Sequence, residues 1–266
     1  MLLAHPPQSD QRDLRVVTSD AVHLCGIVVP STATTRAGER PITFVVAHGF
    51  TNTVAYPPFL RLVGWLQRFG AVRALDFRGH GRSGGASSVG GDPEVADVDA
   101  AVAAARADGA DAVVTLGLSM GGGVALRQAA LGRHRPDAVI CVSAVSRWYV
   151  RDTPPMRRVH WLLETTAGRV LGSRAVRLRL DEPWRTLPLS PLQVVHRIAP
   201  TPLLLVHGDR DHYFPVEHPE ALYAAANEPK ELWLVEGFGH AENAASPELL
   251  ERIGAHLPVL LARGDG

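Results

Sequence analysis

One pattern recurs along most of the chain: a short run apolar on both faces, a loop containing glycine, then a longer segment of helical character. Ile42-Thr43-Phe44-Val45-Val46-Ala47 stops at His48-Gly49, and Ala71–Leu75, Ala112–Leu116, Ala138–Val142, Leu203–Val206 and Glu231–Val235 are built alike. A strand that is apolar on both faces has to be covered on both, as strands of parallel sheets are. Alternation of such strands with helices predicts an α/β fold, a mostly parallel sheet with helices on both faces. Helices are expected over 57–69, from Pro93 to about Arg106, and over Met120–Leu131, 216–226 and 247–262. Pro93 suits a first helical turn, where no N–H is needed. Ahead of this series, 14–18 and 21–29 predict two strands joined at Ser19-Asp20, followed by a flexible loop from Ser31 to Arg40.

Composition narrows the function classes. A hydrophobic share of 46% excludes a disordered chain, and 266 residues suffice for one sizeable core. Acids and bases balance at 27 each, so overall charge offers no lure for nucleic acid or membrane. Residues 1–13 lack the basic start and the apolar stretch of a secretion signal. No apolar run reaches the roughly 18 residues that span a bilayer. Cys25 and Cys141 fall in separate strand-like runs and are expected as small core residues in a reducing, cytoplasmic compartment.

The rhythm breaks once. Some sixty residues between Ser143 and Leu203 carry no strand signal, an insertion length typical of functional lids. A helical cap is therefore expected over 146–197, set between core segments 1–145 and 198–266. It holds Trp148, Trp161 and Trp184, which either wall a substrate or pack the cap on the body. Ten arginines there stand against four acids, a net of +6. That surplus is either a solvated face or an attraction for anionic substrates.

Chemistry concentrates where the predicted strands stop, the place where open α/β sheets bind ligands. Gly117-Leu118-Ser119-Met120-Gly121 matches G-x-S-x-G between a strand and a helix. A side chain thrown up at so sharp a turn demands a positive φ at Ser119 and small residues two before and two after it. Acyl transfer from such a serine needs donors for the oxyanion. The candidates are the backbone N–H groups of Met120 and of Phe50, the latter in the loop His48-Gly49-Phe50. The Phe50 side chain is also a candidate for the acyl pocket. Among twelve histidines, His48 and His80 sit in tight loops and read as structural. His240, on the loop Glu236-Gly237-Phe238-Gly239-His240 after the last strand, is placed to serve as the base. Two acids, Asp209 and Asp211, follow the strand before it. Asp209 suits a turn cap, and Asp211 is favoured as the group that orients His240. No Cys/His ligand spacing suggests a metal, and no cofactor is called for.

These stretches, with Asp76-Phe77-Arg78-Gly79-His80-Gly81-Arg82-Ser83 and His207-Gly208-Asp209-Arg210-Asp211, resemble the α/β-hydrolase superfamily in kind and order. The resemblance implies the α/β-hydrolase fold and a serine–acid–histidine set in the order Ser119, Asp211, His240. It leaves the substrate open, since the fold hosts many chemistries. Serine at position 119 resembles the hydrolase branch; haloalkane dehalogenases carry aspartate there. Gly117–Gly123 also looks like cofactor-free haloperoxidases, which typically have tryptophan in place of Phe50. The leading expectation is a serine hydrolase cleaving a small-molecule carboxylic ester through an acyl-enzyme. A thioesterase acting on acyl-CoA or carrier-protein thioesters is the alternative. A non-catalytic hydrolase-fold binding protein comes last, because such proteins usually lack one of the three groups.

Overall fold

The computed structural model describes residues 11–34 and 40–264 and lays eight strands into one sheet. In chain order they are β1 (Arg12–Val17), β2 (His23–Val29), β3 (Ile42–Ala47), β4 (Ala71–Leu75), β5 (Ala112–Leu118), β6 (Ala138–Val142), β7 (Leu203–Gly208) and β8 (Lys230–Val235). Their spatial order is β1-β2-β4-β3-β5-β6-β7-β8. β2 runs antiparallel to both its neighbours, and β3 to β8 are all parallel. The expected loop over 31–40 lies partly outside the described residues.

Nine α-helices are defined among the described residues: α1 (Pro57–Leu66), α2 (Asp92–Ala107), α3 (Met120–Leu131), α4 (Pro154–Glu164), α5 (Thr166–Val176), α6 (Pro191–Val194), α7 (Glu217–Ala225), α8 (Ala241–Ala244) and α9 (Pro247–Ala262). The twofold alternation of strand side chains sorts them onto the two faces of the sheet. Phe44 and Val46 point to one face and pack with Leu62 and Leu66 of α1 and Leu250 and Leu257 of α9. Val45 and Ala47 point to the other and meet Val98 and Val102 of α2 and Val124 of α3. Toward β7 that second face continues through Leu126, Cys141, Leu205 and Leu222 of α7. Each fully buried leucine, valine or phenylalanine contributes about 1.5–3 kcal/mol, so a sheet covered twice dominates stability.

Two departures from the sequence expectation have physical reasons. β5 continues to Leu118, because Gly117 and Leu118 still pair with Cys141 and Val142 of β6. That leaves Ser119 alone to turn the chain. β8 is an edge strand, and its residues are half-buried rather than covered on both faces, with Leu234 pointing to solvent. Cys25 is partly buried and Cys141 buried, both as free thiols, and burial pushes the Cys141 thiol up.

The stretch between β6 and β7 leaves the sheet as an α4–α5 hairpin and returns along the body. Thr153 caps α4 and donates its hydroxyl to the Tyr213 carbonyl at 3.0 Å. On the return, Ser87 and Leu180 bridge, with Ser87 N–H donating to Arg179 O and Asp181 N–H to Ser87 O. The Arg179 side chain donates to the carbonyls of Gly85 and Ser83. Arg127 of α3, wholly buried, donates to Leu189 O at 2.8 Å and Gly90 O at 2.9 Å and pairs with Asp92. Val194, Val195 and Ile198 are buried, the latter two against Ala125 and Leu126 of α3.

Six of the ten arginines of 146–197 make specific ties, while the net charge of the segment stays at +6. Arg147 pairs with Asp152, Arg151 with Glu164 and Arg185 with Glu182. Arg157, Arg169 and Arg179 donate to backbone carbonyls.

Candidate active site

Ser119 sits at the junction of β5 and α3 with φ +54° and ψ −116°, the left-handed region that costs a non-glycine residue about 1–3 kcal/mol. The flanking glycines make that turn sterically possible. A methyl group on Gly121 would lie 2.5 Å from the His48 carbonyl oxygen, and one on Gly117 would overlap the backbone of Gly121 and Gly122. Replacing Gly121 with alanine should therefore cost about 1–3 kcal/mol. Urea unfolding measures it, and an unchanged midpoint would mean that the β3–α3 approach is loose. Met120 is the first residue of α3, so its N–H has no intrahelical partner and lies at the helix's positive end.

The three side chains brought together over the ends of β5, β7 and β8 are Ser119, His240 and Asp211. His240 Nε2 lies 2.9 Å from Ser119 Oγ, and His240 Nδ1 lies 2.7 Å from Asp211 Oδ2. Asp211 is buried, and its Oδ1 accepts the N–H groups of Tyr213 at 2.9 Å and Phe214 at 3.0 Å. Burial works against its charge. The hydrogen bond and charge of His240, the Phe214 N–H and His207 outweigh that and hold the carboxyl below its ordinary value. His207 is kept neutral-leaning by burial and lies against the Phe214 carbonyl at 2.8 Å. Asp209, expected to cap its own turn, accepts instead from Gly237 N–H at 2.7 Å. It thereby steadies the loop that carries His240, where Gly237 has φ +72°.

On the opposite side, the loop after β3 approaches Ser119: a methyl built on Gly49 would be 3.5 Å from Ser119 Cβ. His48 is fully buried, with Nδ1 at 2.8 Å from the Gly49 carbonyl and Nε2 accepting Phe77 N–H at 3.2 Å. Those partners define the tautomer, with the proton on Nδ1. Burial lowers its pKa to about 4. His80 stands at 5.0 Å from it, with a pKa lowered to about 3 by burial and by His48. Neither ring reaches Ser119, and both brace loops. The stretch 76–83 does similar work, since Asp76 accepts Val54 N–H at 2.7 Å and Arg82 N–H at 3.2 Å.

Gly49, Phe50, Ser119, Met120 and His240 open onto a cleft of about 900 Å³. Its far wall comes from the segment after β6, including Trp148, Met156, Val159, Leu163 and Trp184. Trp148 and Trp184 are in ring contact at 5.1 Å, and Trp148 Nε1 donates to Pro188 O at 2.6 Å. Trp161, expected in the same wall, does not belong there. It is 48% exposed on the outer side of α4, because Met156, Val159, His160 and Leu163 occupy the helical face turned to the cleft.

Several cleft residues were not singled out from the sequence. Tyr213 stacks beside His240 at 4.4 Å between ring centres. Asn52 and Glu242, hydrogen-bonded to each other, lie next to Gly49. Tyr213 carried a signal, two residues after Asp211 on the same loop; nothing local announces a pair 190 residues apart. Among the described residues, no group of three His, Cys, Asp or Glu side chains is placed to hold a metal ion. None of their helices is long and apolar enough to cross a membrane.

A mostly parallel sheet with a serine turn after its fifth strand, a histidine after its last and an acid between defines an α/β hydrolase. Structural likeness agrees. The esterase Pf2001 of Pyrococcus furiosus superposes with a TM-score of 0.73 at 24% identity, over 95% of this chain and 92% of that one. The α/β hydrolase GrgF of Penicillium sp. sh18 gives 0.73 at 20% identity, over 95% and 99%. At such identities the likeness concerns the fold. The hydrolase family described as serine aminopeptidase, S33, matches residues 39–187, more than half of the chain, which belongs to that family. Among curated proteins, YfhR of Escherichia coli (strain K12) is 29% identical over 241 residues, covering 89% of this chain and 76% of YfhR. YqkD of Bacillus subtilis (strain 168) is 28% identical over 209 residues, covering 76% and 66%.

Proposed function

We propose that this hydrolase is a serine carboxylesterase that cleaves small-molecule esters through an acyl-enzyme, under a cap formed by the segment 146–197. The observation that carries this reading is the continuous line Ser119 Oγ, His240 Nε2, His240 Nδ1, Asp211 Oδ2, at 2.9 and 2.7 Å, opening onto a largely apolar cleft. In the free enzyme the Ser119 hydroxyl donates to His240 Nε2. As Ser119 Oγ attacks the ester carbonyl carbon, His240 takes its proton, and Asp211 steadies the resulting imidazolium through Nδ1–H. The tetrahedral oxyanion is held by the N–H groups of Met120 and Phe50, each worth about 3 kcal/mol. Collapse breaks the carbon–oxygen bond to the alcohol, which leaves with the proton from His240. Water then attacks the acyl-enzyme with His240 as base, and Ser119 recovers its proton as the acid is released.

Trp148, Met156, Val159 and Trp184 suit the acyl portion of the substrate by apolar contact. The same apparatus serves a thioester, so a graded panel separates the two. Aryl esters and acyl-CoA thioesters of matched acyl length should be hydrolysed with kcat/KM favouring the esters at least about tenfold, a difference of about 1.4 kcal/mol. A preference of that size for the thioesters would replace the carboxylesterase reading with a thioesterase.

A further inference from the structure

Helix α8 is only four residues long, yet three ties outside the Ser–His–Asp line converge on it. Ala241 N–H donates to Ser143 Oγ at 3.1 Å, Tyr56 Oη–H donates to Asn243 Oδ1 at 2.5 Å, and Asn52 Nδ2 donates to Glu242 Oε1. Glu242 is 2% exposed, and no basic side chain among the described residues lies within ion-pair distance of it. A buried acid side chain tied to an amide rather than a base is a polar group held out of water, and its place beside the reaction centre calls for a function.

The geometry around Gly49 supplies one. A methyl group built on Gly49 would lie 3.3 Å from Glu242 Oε1, 3.5 Å from Asn52 Nδ2 and 3.5 Å from Ser119 Cβ. Carboxylate, amide and serine thus meet over a single backbone atom. The Gly49 carbonyl and the Phe50 N–H belong to the same planar peptide unit, which rotates as one body. Its carbonyl end is gripped twice, at 2.8 Å by His48 Nδ1–H and at 3.2 Å by Asn52 N–H. Asn52 follows Thr51, held at φ +66°, and is itself fixed through its side chain by Glu242.

We infer that Glu242 and Asn52 form a positioning pair that aims the Phe50 N–H at the oxyanion and keeps that donor in register with His240, two residues from Glu242. The inference rests on the acyl-transfer reading above. Neither residue touches the reacting atoms; both act through the Gly49–Phe50 peptide.

The test is a set of variants assayed with an aryl ester, each with its thermal midpoint. Asn52→Ala and Glu242→Ala should each lower kcat about 10- to 100-fold, short of the 10²–10³ that outright loss of a donor costs, while KM stays within about twofold. Glu242→Gln still offers an oxygen to Asn52 Nδ2 and should recover kcat to within about threefold of the parent. The double variant Asn52→Ala/Glu242→Ala should be no slower than either single one, because one interaction is lost in all three. A parent-like kcat in Asn52→Ala, losses that multiply in the double variant, or a Glu242→Gln as slow as Glu242→Ala would each overturn the pair. If Glu242→Ala does not fold, Asn52→Ala and Glu242→Gln decide the matter alone. Ser119→Ala runs in parallel: an active Ser119→Ala overturns the acyl-transfer reading, whereas an inactive one beside a parent-like Asn52→Ala overturns only the positioning pair.

Discussion

Ser119→Ala should lose ester hydrolysis by about 10⁴-fold or more in kcat while unfolding at the same denaturant concentration as the parent protein. The size follows from what the hydroxyl does in the proposed cycle. Without Oγ no acyl-enzyme forms, and what remains is the oxyanion donors and the cleft acting on water. Stability should not fall, since the Ser119 hydroxyl hydrogen-bonds only to His240 Nε2 among the described residues, and φ +54° is no harder for alanine than for serine. A fluorophosphonate should attach at Ser119 in the parent and at no residue of the variant. Persistent hydrolysis, or a mass adduct on another serine, would reassign the nucleophile.

The site was legible in the sequence to the extent that steric demand writes residue types into it. A strand ending in a positive-φ serine requires small neighbours, and Gly117 and Gly121 record that requirement directly. The loops after β3, β7 and β8 are marked in the same way, because parallel strands gather their carboxyl ends at one edge. Side-chain direction within the inserted segment was less legible. Trp148, Trp161 and Trp184 look equivalent by composition, but the register of α4 turns Met156, Val159, His160 and Leu163 inward and leaves Trp161 outside. A start signal for that register stands in Thr153-Pro154-Pro155, a capping threonine followed by first-turn prolines.

Charge counting in the same segment gives the number of arginines but not what each one touches. The net of +6 stands in the fold; within it Arg147, Arg151 and Arg185 face carboxylates already subtracted, and Arg169 and Arg179 clamp uncharged carbonyls. These arginines act as fasteners for a segment with little core of its own. The Asn52–Glu242 contact lay beyond sequence reading altogether. It joins two loops that only the closed sheet brings together, and a hydrogen bond of that kind leaves no periodicity behind.

Asp211→Asn should lower kcat by about 10⁴-fold with little change in KM, through the tautomer of His240 rather than through any loss of contact. Oδ1 of residue 211 accepts two backbone N–H groups, from Tyr213 and Phe214, so the asparagine oxygen has to stay there. Its NH₂ group is then forced toward His240 Nδ1, which must become an acceptor, and the ring proton moves to Nε2. A protonated Nε2 in a neutral ring cannot take the Ser119 proton. The same variant carries a pH signature with a definite sign. Asp211 has a folded-state pKa below the roughly 3.9 of an unfolded aspartate, so the folded protein binds fewer protons there. Its carboxylate contributes stability above that value, and the contribution is lost as pH falls through the lowered folded value. Asp211→Asn removes this dependence, so the stability difference between parent and variant should shrink below about pH 4. Urea midpoints measured from pH 7 to pH 3 test the sign, and a gap that widens on acidification would show that Asp211 is not the depressed carboxylate of the site.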